Sequence, residues 1–106
     1  MINLDAISSE AMKIAGECLR AAVEGPFFPD WEFQTLIGVE RNVAKILLDA
    51  WPKQSLDDVE FCCAVMASMN NLVGYPHGCD EIWSDYISCP PHRVRDVIEE
   101  FKAVDL

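Results

Sequence analysis

"FCCAVMASMNNLVGYPHGC", residues 61–79, carries no formal charge, and its reading decides the fold. A membrane span needs about 20 consecutive, predominantly apolar residues. Here only the first part is apolar, and Asn70, Asn71, Gly74, Pro76, His77 and Gly78 follow it. The stretch therefore reads as a buried helix closed by a turn. Just upstream, "SLDD" (residues 55–58) is a variant capping box, with Ser55 accepting from the backbone of Asp58 while that carboxylate reaches back. Val59, Cys62, Cys63, Met66, Met69 and Val73 fall on one side, and Ala64, Ala67 and Ser68 keep the other side small. A helix apolar over most of its circumference belongs at the centre of a bundle.

Outward from this helix, apolar residues recur at helical spacing and sustained strand-like alternation is absent. Leu4, Ile7, Ala11, Ile14, Ala15, Cys18 and Ala22 form an N-terminal stripe that stops before Gly25-Pro26. After the proline-bounded aromatic link "PFFPDWEF", Asp30 is the expected N-cap of a short helix bearing Phe33, Leu36 and Ile37, closed by Gly38. The next helix carries Val39, Val43, Ile46, Leu47 and Ala50 and ends at Trp51-Pro52. A second short helix is expected from Asp80 to about Ser88, with Ile82, Trp83, Tyr86 and Ile87. "PPHRVRDVIEEFKAV" then opens a last helix showing Val94, Val97, Ile98, Phe101 and Val104. The expectation is a single all-α domain over residues 1–106, a compact bundle of four principal helices plus two short ones.

Eight Lys or Arg stand against eighteen Asp or Glu, a formal net charge of −10. Nucleic acid and anionic membranes repel such a surface. A basic protein partner is drawn in, and acidity also keeps a small protein soluble. The five cysteines are odd in number, two are adjacent, and the start "MINLDAISSE" lacks the basic and apolar regions of a secretory signal. Reduced thiols in a cytoplasm are expected.

Three chemistries compete for the polar residues. His77, Cys79, Cys89 and His92 supply a Cys₂His₂ ligand set for zinc, but the first pair is tighter than usual and a helix separates the two pairs. Cys79 with His77 or His92 and Asp80 could be written as a thiol–imidazole set, yet no thiol-protease signature is present. Cys18, Cys62 and Cys63 fall on core faces as inert hydrophobes. Asp57-Asp58-x-Glu60, Asp80-Glu81-x-x-x-Asp85 and Glu99-Glu100 lie near helix ends or on polar faces, where first-turn acids complement the macrodipole. No phosphate-cradling glycine pattern or helical H-E-x-x-H occurs. The expectation is no catalytic residue, no metal and no cofactor.

The remaining pattern is acids beside aromatic rings. Asp80, Glu81 and Asp85 share a short helix with Trp83 and Tyr86, and "FFPDWE" sets Phe28, Asp30, Trp31 and Glu32 together. Rings give anchoring area and carboxylates pair with Arg and Lys, which suits a surface for a basic protein. So short a helix cannot easily bury both Trp83 and Tyr86 with Ile82 and Ile87, so one ring is expected outside.

"MNNLVGYPHG", "FFPDWEFQTLIGVERNVAKIL" and "PPHRVRDVIEEF" together resemble a loose group of small bacterial proteins over nearly the whole chain, through motifs that are structural. In general type, small, acidic and all-helical, the chain is similar to the immunity proteins of bacterial toxin systems, including contact-dependent growth inhibition. This second resemblance implies a partner, a cognate toxin domain that is often a basic nuclease, and inhibition by covering its active site. It assigns no residue. The competing expectations are a structural or regulatory homodimer and a zinc-binding or thiol enzyme.

Overall fold

The computed structural model describes residues 7–51 and 59–103, with side chains from residue 63 onward in the second stretch. The capping box at Ser55 and Asp58, the acids Asp57 and Glu60, and the side chains of Leu4, Val59, Cys62 and Val104 lie outside the described residues. Among the described residues there are six α-helices: α1 (Ser9–Glu24), α2 (Asp30–Ile37), α3 (Arg41–Ala50), α4 (Val59–Gly74), α5 (Trp83–Tyr86) and α6 (Pro91–Ala103). A 3₁₀ turn, Asp80–Ile82, leads into α5, and no strand occurs among the described residues. The fold is all-α. No described helix is long and apolar enough to cross a membrane.

Helix α1 is central because its buried face is small. Ala11, Ala15, Ala21 and Ala22 alternate with Ile14, Cys18 and Leu19, and α3, α4, α5 and α6 all pack on it. Its N-terminus is capped by the Ser8 hydroxyl, which accepts from the Ala11 N–H at 3.1 Å. The Ser8 N–H in turn donates to Glu100 on α6 at 2.7 Å. At mid-helix, a Cβ on Gly16 would lie 2.6 Å from Nε1 of Trp51, so the glycine is what lets the indole lie against α1.

The most apolar helix is turned differently from the expected stripe. Ala64, Val65, Ser68, Met69 and Leu72 are buried, Met66 and Val73 are half-buried, and Cys63 is exposed. The small side faces the core because α4 runs between α1, α2 and α6, where alanine and serine permit close approach. Ser68 enters without an orphan polar atom, since its hydroxyl donates to Ala64 O at 2.7 Å. A similar correction holds for α3. Ala44 and Leu47 face inward, whereas Ile46, 200° around the helix from Ala44 at about 100° per residue, is 66% exposed.

Helix α2 begins one residue away from the expected cap. Pro29 is the N-cap, and Asp30 is the first helical residue with its carboxylate turned toward Arg41. Its end is as expected. Gly38 adopts φ 94°, and its N–H donates to Gln34 O at 2.8 Å. The last helix follows the sequence closely, with Pro91 first and Val94, Val97, Ile98 and Phe101 buried.

Nothing surrounds the Cβ that Gly38→Ala would add, so the variant isolates backbone strain in the left-handed region. It should lose about 1–2 kcal/mol, read as a lower urea midpoint with an unchanged slope.

Candidate protein-binding face

The two acidic–aromatic stretches, remote in sequence, lie against each other. Phe27 and Phe28 of the link are buried and act as the seam. Phe27 meets the rings of His77, Tyr86 and Trp83 edge-on, at centroid distances of 5.0, 5.5 and 6.3 Å. Phe28 meets Tyr75 at 5.7 Å. Each buried phenylalanine contributes about 2–3 kcal/mol, enough to make the link a fixed part of the fold. The Tyr75 hydroxyl donates to Glu32 on α2 at 2.5 Å, which ties the turn after α4 to the first turn of α2. Phe28 is therefore a core residue, contrary to its expected place among the surface rings.

Arg41 fixes the same corner from the other side. Its Nη1 donates to Ala22 O at 3.1 Å and Val23 O at 2.7 Å, and its Nη2 to Phe28 O at 2.8 Å. These include carbonyls at the C-terminal end of α1 that no intrahelical donor reaches. The guanidinium lies 4.3 Å over the Phe33 ring. Its Nε is 2.9 Å from Asp30 Oδ1, close enough for an ion pair but out of line for a hydrogen bond. The first turn of α2 is thus held by α1, by the link and by Arg41 together. Neither Arg41 nor Tyr75 was singled out from sequence, since their partners are brought near only by the fold.

The two stretches so joined expose Asp30, Trp31, Asp80, Glu81 and Asp85, and half-expose Glu32 and Tyr86. Trp31 is 80% exposed. Trp83 differs from expectation: it is only 7% exposed, and its Nε1–H donates to Cys89 O at 2.7 Å. A single-turn helix ending at Tyr86, rather than one running to about Ser88, lets the indole fold under the turn while Ile82 and Tyr86 stay half outside. Among the described residues no cation pairs with Glu32, Asp80, Glu81 or Asp85; Asp30 alone is neutralised, by Arg41. Glu32 raises the Tyr75 phenol above its ordinary value, first by accepting its hydrogen bond, with burial and the nearby negative charge adding to the effect.

The residues considered for metal or thiol chemistry are arranged otherwise. His77 Nδ1 accepts from the Cys79 backbone N–H at 2.9 Å, and its Nε2 lies 3.0 Å from Leu72 O, so both ring nitrogens are engaged. The Cys79 thiol is 3.3 Å from His77 O and does not face the imidazole nitrogens. His92 is exposed. Among the described residues no group of three or more His, Cys, Asp or Glu is placed to hold a metal ion. Cys18, Cys63, Cys79 and Cys89 are unbridged. Burial, with Cys89 and Glu17 nearby, raises the Cys18 thiol far above its ordinary value, and burial is also the first cause of the rise at Cys89. Thiolates are disfavoured at both.

No protein-family model matches the chain, and no curated protein or solved structure does either.

Two variants probe the corner. Arg41→Met strands carbonyls of Ala22, Val23 and Phe28 and should cost about 3 kcal/mol; Arg41→Lys should recover little, because one ammonium cannot reproduce the planar fork. Urea unfolding reads both. In a Tyr86→Phe background, Glu32→Gln should bring the Tyr75 phenolate absorbance midpoint down toward 10.0. The sign follows from linkage. A raised phenol contributes stability in full below its unfolded value and loses that contribution as pH climbs through the folded one.

Proposed function

We propose that the chain is a protein-binding module of the immunity type, which neutralises a basic toxin domain, such as a nuclease, by covering its active site. The observation that carries this reading is Trp31, 80% exposed on a helical turn held by Arg41, together with the exposed Asp80, Glu81 and Asp85, which no cation pairs among the described residues. First-turn acids alone have a local explanation in the helix macrodipole. A large ring left in water on a fixed scaffold does not, and such rings are what binding hot spots are made of. The net charge of −10 supports the basic character of the partner.

The mechanism is occlusion. Carboxylates take the cationic ground where a nuclease would hold phosphate, and Trp31 supplies the desolvated contact, with Tyr86 beside the seam. Long-range charge sets the rate of encounter and the buried contact sets residence time. Trp83 belongs to the scaffold in this reading, and Asp30 acts chiefly on Arg41.

The test is association with a toxin domain encoded beside this chain. Association should slow as salt rises, and the triple change Asp80→Asn, Glu81→Gln, Asp85→Asn should slow it further. Trp31→Ala should speed dissociation by about 30-fold, the equivalent of a 2 kcal/mol hot spot, with thermal stability unchanged. An association rate indifferent to salt, or Trp31→Ala binding as well as the parent chain, counts against the proposal.

A further inference from the structure

We infer that His77 is a proton-operated latch on the turn between α4 and the 3₁₀ segment. The latch originates in the sequence. The carbonyl of Leu72 would ordinarily accept from the residue four positions on, but that residue is Pro76, which has no N–H. His77 Nε2 takes the missing donor's place at 3.0 Å. A carbonyl only accepts, so the proton is on Nε2. The Cys79 N–H only donates, so Nδ1 bears a free lone pair, 2.9 Å away. The two contacts together specify one neutral tautomer.

Proton uptake from water adds the proton to Nδ1 and gives an imidazolium. The Leu72 contact survives, but the Cys79 N–H then faces another N–H and loses its acceptor. Cys79 is the residue before the 3₁₀ turn that carries Asp80 and Glu81, so the footing of both acids is released. Groups facing the ring act in both directions. Tyr75, Cys79 and Asp80 lie on its own turn, and Arg95 of α6 shares with it a hollow of about 360 Å³. Arg95 also reaches Val73 O at 3.4 Å. Tyr86 of α5 stands on the same Phe27 ring, and α4 meets the imidazole through the Leu72 carbonyl. The Trp83 indole, stacked at 6.3 Å with planes 24° apart, holds the ring against swinging out when it charges. Any effect on partner capture rests on the binding reading above; the latch itself does not.

The experiment is NMR on the free chain during acidification, following the His77 Hε1 signal and the exchange protection of the Cys79 amide. The protection factor of Cys79, corrected for intrinsic exchange, should fall about tenfold with the same midpoint as the ring. In His77→Asn, Oδ1 occupies the position of Nδ1 and cannot titrate, so Cys79 protection should stay level. Three results overturn the inference: a ring that titrates while Cys79 keeps its protection, a ring that stays neutral until the chain unfolds, or His77→Asn losing protection in parallel with the parent. None of these touches the salt dependence of toxin binding, so the two proposals fail separately.

Discussion

The Arg41 guanidinium is the interaction on which the rest of the structure depends. One planar group satisfies the end of α1, turns the aromatic link and covers Phe33, while its remaining edge faces Asp30. Without it the central helix would end in carbonyls withdrawn from water, and the first turn of α2 would lose its brace. A lysine carries the same charge but has no fork, so it is the geometry of the group that the corner requires.

The same problem recurs at other helix ends. None of α1 to α4 has a basic residue in its last turn, so their terminal carbonyls are closed from elsewhere. Asn71 of α4 donates to Leu36 O at the end of α2, and His77 and Arg95 serve Leu72 and Val73 at the end of α4. In a chain with eight cations and eighteen acids this has an electrostatic result. Arg41 and Arg95 are drawn to carbonyls, while Arg20, Lys45, Arg93 and Lys102 pair with acids on other faces. Glu32, Asp80, Glu81 and Asp85 are left without a paired cation among the described residues, and their uncancelled charge is a by-product of how the helices are terminated.

Legibility from sequence followed the length of the pattern. The stripes of α1 and α6 are long enough for periodicity to select a face, and Gly38 marked its helix end through backbone sterics alone. In α4 both sides are apolar, so the pattern could not say that the small side would be inward; Cys63, which is exposed, was misjudged for that reason. Ile46 and Trp83 show the converse. Hydropathy says that a residue would rather be buried, but whether there is room depends on neighbours such as Phe27, which arrive from far away in sequence. The acidic–aromatic character of the candidate face was legible, whereas its union across Phe27 and Phe28 and the loss of Trp83 to the interior were not.

The contact between Gly16 and Trp51 has a consequence for how this sequence can drift. An indole filling the space left by an absent side chain couples the sizes of the two residues across the junction of α1 and α3. A larger residue at 16 obliges the half-buried indole at 51 to shift or to give way to a smaller side chain. Divergent descendants of this chain should therefore exchange bulk between the two positions in matched steps.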